Sequence, residues 1–236
     1  MSGHSHFATI KHKKEAEDKK RGKIFSKLSR LISMAAREGK NPEKNTKLKQ
    51  AIDEARKFNM PNDNIERAIK RGSGEIEGRD LQEVIYEALA PEGVKMIIEG
   101  ITDNKNRTFT AIKQVLLKYK GKIAGEGSLK WLFERKGLII LENPLKNEEL
   151  ELKIIDSGAE DFKWTEEGNI EITTKPEELE KVKEKLKKEG IEIESSSLGW
   201  EPKEEVEVKN KEKYQNLFED LLNEDDVQEI YSNIKM

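Results

Sequence analysis

Three histidines, His4, His6 and His12, are the whole supply of imidazole in this 236-residue chain, and there is no cysteine. Imidazole is the side chain best suited to general acid–base work near neutral pH, so whatever folds beyond residue 12 lacks that group. Without a thiol there is no cysteine nucleophile, no thiolate metal site and no disulfide framework. His4 and His6 form an x-H-x-H pair, but two ligands with no carboxylate beside them make a poor metal site and read as incidental. The glycine-rich stretch from Gly121 to Ser128 has Lys130 where a dinucleotide fingerprint needs its third glycine, and no Gly-Lys-Ser/Thr follows, so it reads as a loop. The acidic run of residues 219–226 lacks the ligand spacing and glycine of a calcium loop. Its carboxylates, Glu219, Asp220, Glu224, Asp225 and Asp226, read instead as a structural face or a docking face for a protein partner. No catalytic residue, metal or cofactor is expected.

The cations carry the positive signal. Lys11, His12, Lys13, Lys14, Lys19, Lys20, Arg21, Lys23, Lys27 and Arg30 crowd twenty residues, with acids confined to Glu15, Glu17 and Asp18. Clustering of that kind is the electrostatic footprint of a protein that tracks a phosphate backbone. Residues 1–78 hold 19 basic and 11 acidic groups (+8), residues 79–140 hold 11 and 8 (+3), and residues 141–236 hold 14 and 28 (−14). A basic module attracts polyanions while an acidic one repels them or recruits basic proteins. Further along, Lys105 and Arg107 sit where a helix opens, and free amides there could join them around a phosphate; Asx capping accounts for the neighbouring asparagines equally well. Only Phe7 and Phe25 are aromatic within the basic window, so base stacking by it has little support.

These side chains must be held by elements that the periodicity outlines. Ile24, Leu28, Leu31, Ile32 and Ala35 mark one helix from Lys23, stopped by Gly39; a second is expected from near Pro42, with Leu48, Ile52 and Ala55 inward. A third begins around Met60–Asn64, with Asp63 and Glu66 spaced as a capping box, and closes at Gly72. A polar linker follows. The period then changes to two: Val84–Ala90 and Gly93–Ile101 flank a Pro-Glu-Gly turn as a hairpin. Next come a helix over 108–119 with Phe109, Ile112, Val115 and Leu116 inward, and a strand over 128–134. Past Gly137 the order is strand (138–142), helix (147–157), strand (161–166), strand (169–174), helix (177–188), strand (191–196), which is the ferredoxin-like βαββαβ pattern. A helix over 214–222 and a strand through Val227, Ile230 and Tyr231 complete the chain. The fold class expected is α+β: an N-terminal three-helix bundle (1–78), then two ferredoxin-like α/β domains, with 137–202 inserted into a domain made of 79–136 plus 203–236.

Composition sets the outer bounds. With 34% hydrophobic and 39% charged residues the chain can fill several small cores rather than one large one. No apolar stretch approaches the ~20 residues that span a bilayer, and no export or organelle signal is visible, so a cytoplasmic protein is expected. Lys (35) and Glu (37) far outnumber Gln (5), a bias typical of thermophilic sources.

Several blocks taken together resemble the YebC/PmpR family across nearly the whole chain. They are Gly3-His4-Ser5, Ile10-Lys11-His12-Lys13, Lys20-Arg21-Gly22-Lys23-Ile24-Phe25, Asn59-Met60-Pro61, Ile65-Glu66-Arg67-Ala68-Ile69-Lys70-Arg71-Gly72, Thr102-Asp103-Asn104, Leu132-Phe133-Glu134-Arg135-Lys136-Gly137 and Asp225-Asp226-Val227-Gln228. The resemblance implies a helical domain plus two α/β domains and a non-enzymatic role in gene expression. Bacterial members are usually labelled DNA-binding transcriptional regulators; the related mitochondrial protein activates translation of cytochrome c oxidase, and some bacterial members act on the ribosome. By resemblance, the basic arm (His4, Lys11, His12, Lys13, Lys20, Arg21, Lys23) is the nucleic-acid contact. His6 and Phe7 stand where relatives usually have Lys and Trp, which removes a cation and a larger stacking surface. Asn45-Thr46-Lys47-Leu48-Lys49 likewise stands in place of the common Asn-Pro-Arg-Leu-Arg. Three readings remain open: a DNA-binding transcriptional regulator, a translation factor on ribosomal RNA, and a protein-interaction scaffold acting through the acidic half. The oligomeric state is not legible.

Overall fold

The computed structural model describes residues 18–78, 80–142, 144–165 and 168–235, with side chains from residue 21 onward. Helices α1 (Asp18–Ala36), α2 (Thr46–Lys57) and α3 (Asn62–Gly72) share one core, built on Leu28, Ile32, Leu48, Ile52, Ile65 and Ala68. α1 starts earlier than Lys23, and Leu31 lies off the buried stripe. α2 starts at Thr46, not near Pro42, because buried Asn45 is the better cap. Its side chain accepts from the Leu48 amide (3.0 Å) and donates to the carbonyls of Ala35 (2.8 Å) and Gly39 (2.7 Å), which locks the turn between the two helices. The capping box anticipated at Asp63 and Glu66 does not form: the residue before α3 is Pro61, with no side-chain cap. At the other end of α3 a Cβ on Gly72 would stand 2.1 Å from the Ser33 carbonyl oxygen, so glycine sets how closely α3 approaches α1.

The first sheet has the strand order β3-β1-β2-β8, antiparallel throughout: β1 (Gln82–Leu89), β2 (Lys95–Thr102), β3 (Lys122–Ile123) and β8 (Val227–Ser232). Three of these strands precede the second sheet in sequence and the fourth follows it. Helices α4 (Lys105–Lys118) and α7 (Lys211–Leu222) cover one face, closing a core around Met96, Ile98, Ile112, Leu116, Phe218 and Ile230. Phe109, expected inside, rests at the edge of that core against Tyr86, with ring centres 6.1 Å apart, and stays 41% exposed.

The second sheet has the order β5-β6-β4-β7, again antiparallel, from β4 (Phe133–Leu141), β5 (Asp161–Trp164), β6 (Ile170–Thr174) and β7 (Ser195–Pro202). Helices α5 (Glu148–Ser157) and α6 (Leu179–Lys188) pack on it around Ile139, Ile154, Ile172 and Val182. Two expectations fail here. Residues 128–132 are not a strand: buried Glu87 accepts from the amides of Gly127, Leu129 and Lys130 and holds them in a turn. The strand begins at Phe133 and runs through Gly137 without a break. The final strand starts at Ser195 rather than 191: its ladder with β4 opens at the Ile140–Ser195 pair and runs on to Phe133–Pro202. Ile97, Phe133, Leu138, Trp200 and Tyr231 join the two sheets in a shared apolar cluster. Among the described residues no helix is long and apolar enough to cross a membrane.

Candidate nucleic-acid interface

His4, Lys11, His12, Lys13 and Lys14 lie outside the described residues, and Lys19 and Lys20 are described only as backbone of α1. Arg21 is exposed, with its guanidinium 5.6 Å from the Phe25 ring centre. From there the cations of α1 meet the end of α7. Lys23 donates to the Asn223 carbonyl (2.9 Å), and Lys27, 3% exposed, donates to the Leu222 carbonyl (2.6 Å). These carbonyls end α7, where the last turn has no intrahelical donors and the helix dipole is negative, so an ammonium satisfies both needs at once. Arg30 donates to the Asp225 carbonyl and pairs with Asp226 at 2.6 Å.

Asp226 is the centre of this junction. It is 5% exposed and receives Arg30 from α1, Arg107 from α4 (2.7 Å), and the hydroxyls of Thr108 (2.6 Å) and Thr102 (3.1 Å). Burial pushes its carboxyl up, but the Thr108 and Arg107 hydrogen bonds and the two guanidinium charges outweigh burial and hold it below the usual carboxylate range. Arg107 also pairs with Asp103 (2.6 Å), one turn earlier, and its guanidinium stays firmly charged through the hydrogen bonds from it to Asp226 and Asp103. Burial lowers the Lys27 ammonium to about 8, against the pull of Glu229 and Asp225. Thus four cations expected on a nucleic-acid surface, Lys23, Lys27, Arg30 and Arg107, are engaged within the chain, Lys23 and Lys27 by the carbonyls that end α7 and Arg30 and Arg107 by Asp226. Of these groups and the Asp225–Asp226 pair expected on a docking face, Lys27 and Asp226 are buried, while Lys23, Arg107 and Asp225 remain exposed.

The remaining acids of that face divide. Asp220 accepts from Lys118 (2.6 Å) and the Tyr119 hydroxyl (2.8 Å); Glu219 and Glu224 are half-buried, and burial raises the Glu224 carboxyl. Lys105, exposed at the start of α4, has no ion pair among the described residues. The helical unit also reaches the second sheet's unit: Gln50 donates to Glu180 (3.0 Å) and Lys57 to the Glu194 carbonyl. Thr102, Thr108 and Asp103 were not singled out by charge patterning, although the blocks Thr102-Asp103-Asn104 and Asp225-Asp226-Val227-Gln228, far apart in sequence, converge on this junction. The i,i+4 spacing of Asp103 and Arg107 was the available local signal.

Two family models match the chain, one described as the TACO1/YebC protein N-terminal domain over residues 5–75 and one as the TACO1/YebC second and third domain over residues 81–234. A probable transcriptional regulatory protein of Thermotoga petrophila is 51% identical, with all of this chain and 94% of that protein covered. One from Persephonella marina is 46% identical, covering all of this chain and 96% of that protein. The crystal structure of a conserved hypothetical protein from Aquifex aeolicus superposes with a TM-score of 0.87 at 46% identity, over 98% of this chain and 97% of the other.

Proposed function

The chain belongs to the TACO1/YebC family, and on that premise we propose that it is a non-enzymatic regulator of gene expression that binds DNA through its basic N-terminal domain. The observation that carries this reading is the segregation of charge, +8 over residues 1–78 against −14 over residues 141–236. It agrees with the regulator name that relatives bear. The contacts in this reading are His4, Lys11, His12, Lys13, Lys14, Lys19, Lys20 and Arg21, since Lys23, Lys27 and Arg30 are engaged by α7 and Asp226. Its domains are 1–78, a second made of 79–136 plus 203–236, and a ferredoxin-like unit, 137–202, inserted into the second.

The test is a competition in which purified protein meets ribosomes and an excess of random duplex DNA at physiological salt, followed by sedimentation. Retention on DNA, with a log–log salt slope that falls by about 0.7–0.9 for each contact removed in a Lys13, Lys14, Lys20 and Arg21 alanine variant, is the expected result. Recovery with the ribosomes, lost in the same variant, would assign the arm to ribosomal RNA and a role in translation. Binding to neither would leave the protein-scaffold reading.

A further inference from the structure

Helix α4 departs from the rest of this surface in its chemistry. Its fourteen residues carry four cations, Lys105, Arg107, Lys113 and Lys118, and no carboxylate, in a chain with 47 acidic residues. Arg107 and Lys118 are paired with Asp226 and Asp220, whereas Lys105 and Lys113 are exposed with no ion pair among the described residues. Asn106, Thr110 and Gln114 recur every four residues and so form one stripe, and they line an open groove with Arg107. Asn104 caps the helix by accepting from the Arg107 amide; the Asn106 and Gln114 side chains have no such duty, and Thr110, whose hydroxyl donates to the Asn106 carbonyl (2.8 Å), keeps its oxygen as an acceptor. At 100° per residue Lys113 lies beside this stripe and Phe109 beyond it, half-exposed against Tyr86. Arg107, which lines the groove, shares Asp226 with Arg30 of α1.

Uncharged amides and hydroxyls flanked by unpaired cations and an exposed aromatic ring are the set that meets base edges, phosphates and a base face respectively. We propose that the outer face of α4 is a second nucleic-acid contact, in which Lys105 and Lys113 take phosphates, Asn106, Thr110 and Gln114 hydrogen-bond exposed base edges, and Phe109 offers a stacking surface. This rests on the nucleic-acid reading above and adds to it a site that reads bases rather than backbone alone.

The test uses the full chain and fluorescence anisotropy over a salt series with four probes: random duplex DNA, mixed-sequence single-stranded DNA, the same single strand in RNA, and an abasic strand of equal length. Asn106→Ala/Thr110→Ala/Gln114→Ala is expected to weaken binding of the base-bearing single strands about tenfold or more, leaving the abasic strand and the salt slope unchanged. Lys105→Ala/Lys113→Ala is expected to lower the slope on single strands by about 1.4. All five side chains are exposed or at the edge, so unchanged melting temperatures are expected and separate lost contacts from lost folding. Equal loss on the abasic and base-bearing strands would overturn base reading. Unchanged binding by both variants, in a protein whose arm variant does lose affinity, would overturn the α4 site and leave the proposed function standing. Failure of the wild type to bind any probe would remove both. The stronger of the DNA and RNA arms identifies the source of the strand.

Discussion

Asp226 and Glu149 are both carboxylates facing a cation at under 3 Å, and they do opposite things. Glu149 meets Lys153 one turn along α5 with its side chain 78% exposed. Asp226 is buried, is shared by two arginines from different helices, and accepts two threonine hydroxyls as well. An exposed pair gains little because water solvates both partners and two long side chains must be ordered. A buried carboxylate engaged on both oxygens is held by its surroundings and holds them in turn, so removing it takes the shared counter-charge from two guanidinium groups, leaving Arg107 only Asp103 and Arg30 only the Asp225 carbonyl. The chain is rich in Lys and Glu throughout, yet charge acts as a structural pin at the α1–α7–β8 junction and as a solvated coat on α5 and α6. Counting charges does not distinguish the two; burial and the number of shared donors do.

The sharpest way to break this comparison is Asp226→Ala. Loss of one partner from a buried ion pair typically costs about 3–5 kcal/mol, and a fall of that size in unfolding free energy, measured by urea denaturation, is expected. Asp226→Asn, which keeps acceptors for the threonine hydroxyls, should fall less. A loss under about 1 kcal/mol for the alanine variant would place Asp226 with the surface pairs and dissolve the distinction.

The pH dependence of Lys27 probes the same junction from the cation's side. Its ammonium titrates at about 8 when folded, against 10.5 ordinarily, because burial disfavours the charge. Below pH 8 both folded and unfolded chains are protonated at this site, and the folded state carries the full penalty. Between about 8 and 10.5 the unfolded chain binds the extra proton, so stability rises with pH relative to a Lys27→Met variant, which has no such group. The gain across that window is at most ~3.4 kcal/mol at roughly 1.36 kcal/mol per pKa unit. A flat or falling difference between wild type and variant would show that Lys27 is solvated and that α1 does not bury its cations against α7.

How much of this was legible beforehand follows from which interactions are local. Helix periodicity exposed α3 and the hairpin, since Ile65, Ala68 and Gly72 and the alternation around Pro91 depend on neighbours a few residues away. The starts of α2 and α4 lie elsewhere than the sequence predicts because Pro42 and Thr108 also suit a helix start, while the caps are Asn45 and Asn104. The apparent strand at 128–132 had a strand-like composition but is bent by Glu87, some forty residues upstream. The α1 cations looked free because their partners stand about 195 residues away on the same chain. Charge patterning registers that residues 1–78 and 141–236 have opposite sign, and opposite signs predict attraction to a polyanion and to each other alike.

Asn45 offers an effect intermediate between pin and coat. Its side chain makes three hydrogen bonds across the α1–α2 turn, one of them the N-cap of α2, and Asn45→Ala is expected to cost about 1–2 kcal/mol. A negligible change would mean that the turn is held by the core alone.

The smallest effect belongs to the coat itself. Glu149→Gln removes a charge that Lys153 stabilises, since the lysine's hydrogen bond and charge keep the Glu149 carboxyl low, yet Glu149 stands in water and Lys153 is partly exposed. The urea midpoint of this variant is expected to match the wild type within error at physiological salt, and raising the salt should change neither protein's rank. Should Glu149→Gln instead shift the midpoint as far as Asn45→Ala, α5 would have to be covered by something that excludes solvent from Glu149. Its exposed neighbours Leu145, Leu152 and Ile155 would then be the first residues to examine for that cover.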